Sequence, residues 1–265
     1  MIWLFYFLGF YIFLGAILYL LQDRLLFHPV KLPQSFQYHY RASFREHFIQ
    51  VDALTKINAL YFQVPDSLGV VFYFKGNTKN IKGWAKFAPD FLRQGYDFLI
   101  MDYPGFGKST GRRSENNIHI DTQAVYNWLK LKVPEKQIVI YGRSLGCGFA
   151  AHLAAHNQPA MLILDSPYYS MRRLAQHYTW IFPLSAILSY EMPVADYIRQ
   201  MKLPVYLIHG NRDKLIPYKF SRQLLEANPQ KCVLFTIQGA RHNNLPTFEE
   251  YHRVLHQILR PPFTS

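Results

Sequence analysis

Short apolar runs alternate with longer amphipathic stretches along most of this chain. The apolar runs are four to six residues long, which suits strands of a parallel sheet that is covered on both faces. The predicted strands are Val70–Phe74, Asp97–Met101, Gln137–Tyr141, Met161–Leu164, Val205–His209 and Cys232–Ile237. The predicted helices are Asn80–Gln94, Glu115–Leu131, Leu145–His156 and Thr247–Leu259. Because strands alternate with helices, the pattern predicts an α/β fold with a mostly parallel central sheet and helices on both faces.

One interval is longer than a crossover helix requires. About forty residues separate the strand that ends near Leu164 from the strand that begins near Val205. The interval is rich in aromatic residues, namely Tyr168, Tyr169, Tyr178, Trp180, Phe182 and Tyr190. Long insertions in compact domains are commonly functional lids, so we predict a small helical cap at about 167–200. The alternative is a pair of extra helices packed on the edge of the sheet.

The first 21 residues contain no charged side chain. At 1.5 Å per residue, a helix of this length spans about 30 Å, which is the thickness of the hydrocarbon core of a bilayer. Aromatic residues of the kind that anchor helices at membrane interfaces are Trp3, Tyr6, Tyr11 and Tyr19. A cleaved signal peptide is the competing interpretation, but no basic segment precedes the run and no small-x-small cleavage site precedes Asp23. We predict a retained transmembrane anchor at 1–21, a connecting segment at 22–47 and an α/β domain at 48–265.

The net charge is +12, from 29 Lys and Arg against 17 Asp and Glu. This charge limits the kinds of binding partner that the sequence predicts. The basic residues are scattered and accompany no recognised nucleic-acid-binding module, so nucleic acid is not a predicted partner. Contact with anionic lipid headgroups accounts better for the charge of a protein with a membrane anchor. Arg24, Lys31 and Arg41 follow the anchor, and the positive-inside rule therefore favours a cytoplasmic position for the domain.

The strongest chemical signal is the segment Gly142-Arg-Ser144-Leu-Gly146. A G-x-S-x-G pattern alone is moderately specific, but here it lies directly after a predicted strand and directly before a predicted helix. Glycines at both flanks let the strand and the helix approach closely. Ser144 is the predicted nucleophile, and because a serine hydroxyl is weakly nucleophilic at neutral pH, it requires an adjacent base.

Position along the chain selects the base and the acid. Of eleven histidines, His242 lies shortly after the last predicted strand, where a loop returns over the carboxyl ends of the strands. His209 ends a strand and is more consistent with a structural role. The acid is expected after a late strand and before the histidine, which favours Asp213, with Asp165 as its competitor. No pair of histidines has metal-ligand spacing such as H-E-x-x-H, so no metal site is predicted.

A site for acyl transfer also requires donors for the developing oxyanion. The backbone N–H of Leu145, at the start of the predicted helix, is one candidate. The other is the backbone N–H of Asn77 or Thr78, in the loop that follows the strand Val70–Phe74. Gly76 permits the close approach that such a donor requires.

Taken together, these motifs resemble the α/β-hydrolase superfamily, and most of all its membrane-anchored branch related to the serine aminopeptidases and dienelactone hydrolases. The resemblance covers roughly residues 22–259 and includes Gln22–Pro29, Gly76-Asn77, Asp102–Gly107, Gly142–Gly146, His209-Gly210 with Asp213, and His242-Asn243. The branch usually has histidine where this chain has Lys75. This departure leaves the predicted Ser144, Asp213 and His242 triad intact, but it puts the geometry of the loop in question.

The resemblance implies hydrolysis of an acyl bond through a covalent acyl-enzyme, because members of the branch resemble esterases, lipases, acyl-protein thioesterases and, less often, peptidases. We expect a small-molecule or lipid substrate with an acyl ester or thioester. No cofactor-binding motif is present in the sequence, and none is required for this chemistry. Two alternatives remain: a peptidase of the serine aminopeptidase type, and a non-catalytic membrane scaffold that keeps the fold.

Overall fold

The structure is a computed structural model that describes residues 2–179 and 182–260. Met1 of the predicted anchor, Trp180 of the predicted cap and residues 261–265 of the predicted α/β domain lie outside the described residues.

Eight strands form one sheet in the order β10-β9-β8-β7-β4-β6-β3-β2, and two short strands, β1 and β5, pair separately. The strands are β1 His28–Pro29, β2 Phe44–Gln50, β3 Lys56–Phe62, β4 Val70–Phe74, β5 Thr78–Lys79, β6 Asp97–Met101, β7 Ile138–Arg143, β8 Met161–Asp165, β9 Val205–Gly210 and β10 Cys232–Ile237.

The six strands predicted from apolar runs form the parallel part of the sheet. Residues 70, 72 and 74 of β4 face one apolar layer and residues 71 and 73 face the other. Every residue of β4 is buried, because helices cover both faces of a parallel sheet. The predicted α/β class with a mostly parallel sheet is thereby confirmed.

The antiparallel strands β2 and β3 were not predicted, and β2 begins inside the segment 22–47 that was predicted to be a connection. The sequence of β3 is interrupted by a polar residue, Asn58, which nevertheless is fully buried. Its side chain accepts a hydrogen bond from the Tyr38 hydroxyl (2.9 Å) and donates one to the Glu46 carboxylate (2.7 Å). A buried amide is tolerated when it is hydrogen-bonded, and these partners come from other parts of the chain.

Helices cover both faces of the sheet. They are α1 Ile2–Leu26, α2 Ile81–Trp84, α3 Ala88–Leu92, α4 Glu115–Lys130, α5 Gly146–Ala155, α6 Met171–Tyr178, α7 Leu184–Ile187, α8 Val194–Gln200, α9 Lys219–Ala227 and α10 Glu249–Leu259. The helix predicted at Asn80–Gln94 is instead α2, a 3₁₀ turn and α3. Pro89 lies in the first turn of α3, and since proline has no N–H to donate to the preceding turn, a continuous helix cannot pass through it.

The interval predicted to hold a cap contains α6, α7 and α8. Helix α8 packs on α5 and α9 as part of the layer that covers the sheet. The segment around α6 and α7 contacts two other regions of the domain. The Tyr168 hydroxyl donates to the Leu145 carbonyl (3.1 Å), and the Tyr178 hydroxyl donates to the Leu215 carbonyl (2.7 Å).

Helix α1 extends five residues beyond the predicted anchor. By length and composition it is sufficient to cross a membrane, a property that signal sequences share. Its last turn is joined to the domain, because Asp23 accepts hydrogen bonds from Arg113 (2.9 Å) and from the Tyr190 hydroxyl (2.8 Å). Phe27, directly after the helix, belongs to the apolar core and is 1% exposed.

Candidate active site

Ser144 occupies a sharp turn between β7 and α5. Its φ is +53°, a left-handed conformation that non-glycine residues seldom adopt and that commonly marks a functional site. A Cβ added at Gly146 would lie 2.3 Å from the carbonyl oxygen of Phe74, and one added at Gly142 would lie 2.6 Å from the Cβ of Ala150. Both positions therefore require glycine, and the backbone of the turn presents Ser144 at the carboxyl edge of the sheet.

The three residues predicted as a triad lie in one hydrogen-bonded line. His242 Nε2 is 2.9 Å from Ser144 Oγ, and His242 Nδ1 is 2.7 Å from Asp213 Oδ2. Asp213 follows β9 and His242 follows β10, so neighbouring parallel strands deliver both side chains to the same edge of the sheet. Asp213 and His242 are each 8% exposed, so water screens their contact little.

The Asp213 carboxylate is held by more than His242. Its Oδ1 accepts hydrogen bonds from the backbone N–H groups of Leu215 and Ile216 (both 2.8 Å), and its Oδ2 lies 3.2 Å from His209 Nε2. Burial opposes ionisation, but the hydrogen bonds from His209 and His242 outweigh it and hold the pKa of Asp213 well below its usual range. The acid is therefore ionised, as an acid that orients a histidine requires.

His209, interpreted from sequence as structural, positions the acid. Its Nε2 also lies 3.0 Å from the carbonyl oxygen of Ile216, and since carboxylates and carbonyls only accept hydrogen bonds, this nitrogen carries the proton. Its Nδ1 lies 2.6 Å from the hydroxyl of Ser221 in α9. The spacing of His209 and Asp213, four residues apart, is a sequence signal for their contact. The contact itself depends on the turn that follows β9.

Asp165, the competing acid, lies in a different network. It accepts a hydrogen bond from the Tyr141 hydroxyl (2.9 Å) and lies 3.5 Å from the Arg143 guanidinium. It is fully buried, and its backbone carbonyl accepts the N–H of Ser144 (2.9 Å). Asp165 thus supports the turn that carries Ser144, whereas Asp213 contacts the histidine.

Comparisons with known proteins agree with this fold. The family model for the alpha/beta hydrolase fold matches residues 69–189. The alpha/beta hydrolase domain-containing protein 17C of Xenopus laevis is 30% identical over 201 residues, covering 74% of this chain and 62% of that protein. An uncharacterized protein of Mycobacterium tuberculosis is 29% identical over 230 residues, covering 84% of this chain and 81% of that protein. An esterase from Pyrococcus furiosus superimposes with a TM-score of 0.69 at 22% identity, covering 87% of this chain and 96% of the esterase.

The chain belongs to the α/β-hydrolase superfamily. The resemblance inferred from its motifs is confirmed at the level of the superfamily and the fold. The match to the esterase, at 22% identity, concerns the fold alone.

The loop after β4 lies beside the serine of this hydrolase. A Cβ added at Gly76 would be 3.8 Å from Ser144 Cβ. The loop is anchored at both predicted donor residues: Asn77 donates from its side chain to the carbonyl of Leu26 (2.9 Å), and the Thr78 carbonyl accepts the indole N–H of Trp84 (2.8 Å). The backbone of residues 76–78 is therefore held next to the start of α5, where Leu145 lies.

Lys75, which stands where the branch usually has histidine, connects two loops of this hydrolase. Its side chain is fully buried, with Nζ 3.7 Å from Asp102 Oδ1 and 3.5 Å from the centre of the Phe106 ring. Within the described residues, Nζ has no hydrogen-bond partner. Burial lowers the pKa of Lys75 to about 8 and raises the pKa of Asp102 to about 7, although each charge favours ionisation of the other. Lys75 therefore links the loop after β4 to the loop after β6.

A cavity of about 250 Å³ is lined in part by Arg143 and Asn243, the chain neighbours of Ser144 and His242. Its lining is Thr78, Lys79, Gly83, Trp84, Lys86, Phe87, Arg143 and Asn243. Tyr168 and Tyr190, two aromatic residues of the predicted cap, are not part of this lining. Tyr168 and Tyr190 instead are buried, and their hydroxyls are bonded to the Leu145 carbonyl and to Asp23. These two residues join the cap to α5 and to α1.

Proposed function

We propose that this hydrolase is a serine hydrolase that cleaves an acyl ester or thioester through a covalent acyl-enzyme on Ser144. The observation that carries the proposal is the continuous line from Asp213 through His242 to Ser144, with the serine on a strained strand-to-helix turn. A nucleophile, a base and an orienting group within hydrogen-bond distance of one another are the arrangement that acyl transfer requires.

In the proposed first half-reaction, Ser144 Oγ attacks the carbonyl carbon of the substrate while His242 Nε2 accepts the hydroxyl proton. Asp213 holds Nδ1–H and stabilises the imidazolium that forms. The oxyanion accepts hydrogen bonds from the backbone N–H of Leu145 and of Asn77 or Thr78, each of which lowers the barrier by about 3 kcal/mol in comparable sites. The tetrahedral intermediate then collapses, and the leaving alcohol or thiol takes the proton from His242.

In the second half-reaction, a water molecule gives a proton to His242 Nε2 and attacks the acyl-Ser144 carbonyl. Collapse of the second tetrahedral intermediate releases the carboxylic acid and returns the proton to Ser144 Oγ. The same histidine thus acts as base and then as acid in each half, which is consistent with its position between Ser144 and Asp213.

Two features support a lipid or acyl-chain substrate. Helix α1 has no charged side chain from Ile2 to Leu21 and is joined to the domain at its last turn, so insertion in a bilayer would hold the site close to lipid. The net charge of +12 favours contact with anionic headgroups. The proposed orientation keeps the domain on the cytoplasmic side, because Arg24, Lys31 and Arg41 follow the helix.

A fluorophosphonate probe on detergent-solubilised protein tests the proposed nucleophile, since such probes modify an activated serine. Labelling that maps to Ser144 and is absent from Ser144→Ala is the expected result, with an exposed serine variant, Ser43→Ala, as the matched control. Labelling at another serine would show that the nucleophile is wrong. Absence of labelling in protein whose circular dichroism is native would favour the scaffold.

The acyl group is tested separately. We expect higher kcat/KM for long-chain acyl esters or thioesters presented in mixed micelles than for short soluble esters. Aminoacyl amides serve as the contrasting substrate. A preference for these amides would identify a peptidase, and a preference for short soluble esters would refute the lipid part of the proposal.

A further inference from the structure

The outer edge of the cap is apolar and lies against α1. From Thr179 to Tyr190 the sequence has no charged side chain. The ring of Phe182 stacks on the ring of Tyr11, with 5.1 Å between centroids and 13° between planes. A Cβ added at Gly15 would lie 3.6 Å from Ile187 Cδ1, so α7 contacts α1 where the anchor has a glycine.

Polar contacts near the end of α1 determine how far the cap reaches along the helix. Gln22 is 7% exposed, and its side chain donates to the carbonyl of Ile187 (3.1 Å) and accepts the backbone N–H of Ser189 (2.7 Å). Asp23 binds Arg113 and Tyr190. These contacts hold α1 and the cap in one register, because a slide of one helical turn would break all of them and leave buried polar groups unpaired.

The register between α1 and the cap determines how deep the edge of the cap lies in the bilayer. If Leu21 marks the end of the hydrocarbon-spanning part of α1, Gly15 lies about 9 Å and Tyr11 about 15 Å inside that boundary at 1.5 Å per residue. The half-thickness of the hydrocarbon core is about 15 Å. The residues that contact Tyr11 and Gly15 must then be inside the bilayer as well.

A shallower position of the helix does not allow a span. If the membrane boundary were at Tyr11, so that Phe182 remained in water, only nine residues of the described part of α1, Ile2 to Phe10, would lie in the core. They reach only about 14 Å, half of what a transmembrane helix requires. If α1 spans the membrane, the observed packing therefore does not allow the edge of the cap to remain in water.

We propose that the edge of the cap at residues 182–188 is immersed in the hydrocarbon of the bilayer, beside α1, so that the domain is held by the anchor and by the cap together. The absence of charge from this edge is consistent with that environment, since a charged side chain within hydrocarbon costs several kcal/mol.

The immersed edge is connected to the catalytic loop. Tyr178, four residues before Phe182, bonds to the Leu215 carbonyl two residues after Asp213. An extended chain of four residues reaches at most about 14 Å, so the immersed edge begins within that distance of the last residue of α6. A substrate whose acyl chain lies in the bilayer is then next to the site, and this consequence rests on the proposed hydrolysis of acyl-chain substrates.

Nitroxide accessibility in the full chain, reconstituted in vesicles of phosphatidylcholine and phosphatidylglycerol, tests the immersion. Spin labels are placed at Pro183→Cys, which is exposed on the cap edge, and at Leu188→Cys as a second cap site. Ile12→Cys, 60% exposed on α1, is the reference for depth, and Leu131→Cys, 87% exposed on the domain, is the reference for water. Cys147 and Cys232 are buried, and labelled wild-type protein measures any background from them.

We expect the ratio of oxygen to nickel-chelate accessibility at Pro183 to match that at Ile12 and to exceed that at Leu131 about tenfold, because the polar chelate is excluded from hydrocarbon. A Pro183 label as accessible to the chelate as the Leu131 label would overturn the proposal. So would an Ile12 label in water, since α1 would then not span. Fluorophosphonate labelling of the same vesicles reports on the proposed hydrolase separately, so that failure of one proposal is distinguishable from failure of the other.

Discussion

Gly146→Ala is the smallest substitution that tests whether the packing of the serine turn controls reactivity. The added Cβ would lie 2.3 Å from the Phe74 carbonyl oxygen and 2.6 Å from the Lys75 carbonyl oxygen. Both obstacles are backbone atoms, so α5 and the end of β4 must separate by about 1 Å to restore van der Waals contact. A displacement of about 1 Å in a catalytic constellation costs about a hundredfold in rate.

The same displacement has an energetic cost. Overpacking a well-packed core typically costs about 2 kcal/mol, which corresponds to a decrease in Tm of about 6 °C in a domain of this size. We expect Gly146→Ala to remain folded at 25 °C but to react with the fluorophosphonate about a hundred times more slowly, since both Ser144 and the loop at Lys75 lie on the displaced backbone.

The measurements are the second-order rate of fluorophosphonate labelling and thermal unfolding followed by circular dichroism. Gly9→Ala is the matched control, because a Cβ added at this helical glycine would meet nothing within 4 Å. It should label within about twofold of wild type, as expected for alanine in a helix. A Gly146→Ala protein that labels at the wild-type rate would refute the reasoning, whatever its Tm.

Three further predictions concern the buried carboxyls. Asp213→Asn should slow fluorophosphonate labelling about ten-thousandfold, because His242 loses the group that sets its tautomer. Folded Asp165→Asn should label within about tenfold of wild type while its urea midpoint falls, because Arg143 loses a buried partner. Equal labelling rates in the two variants would contradict the assignment of the acid. Lys75→Met and Asp102→Asn should each lower the free energy of unfolding by about 3 kcal/mol. The double variant should lower it by less than the sum of the two single effects. Additive losses in urea titrations would show that Lys75 and Asp102 are not coupled. The pKa of Asp213 lies below its usual range, so the native state binds fewer protons than the unfolded chain in acid. The stability from this carboxylate is complete at neutral pH, begins to fall at the ordinary carboxyl pKa and is lost as the pH falls through the lowered pKa of the folded state. The difference between the urea midpoints of wild type and Asp213→Asn should therefore begin to shrink below about pH 5 and go on shrinking well below pH 4, and a constant difference would refute this linkage.

The sequence was sufficient to predict the parallel sheet and the serine turn. Both depend on local chemistry: a run such as Val70–Phe74 is apolar on both faces, and Gly142 and Gly146 allow a turn that other residues prevent. Chain order after the strands also indicated Asp213 and His242, because parallel strands bring their carboxyl ends to one edge of the sheet.

The sequence favoured Asp213 but did not exclude Asp165, since both follow a predicted strand. The tertiary structure separates them: Asp165 is held beneath the serine turn by Tyr141 and Arg143, while Asp213 lies within 2.7 Å of His242. The position of β3 was missed for a related reason. Its buried Asn58 is acceptable only with partners that other segments supply.

The contacts between the cap and α1 depend on the tertiary structure most of all. Gln22 and Ser189 are 167 residues apart, and no local pattern in either segment indicates that they meet. Hydrophobic periodicity and turn sterics act over a few residues, so the sequence by itself determined which elements form and where the serine is presented. The pairing of buried polar groups depends on which segments approach one another in three dimensions, so only the tertiary structure decided how the acid is held, how Lys75 is paired and how the cap is joined to the anchor.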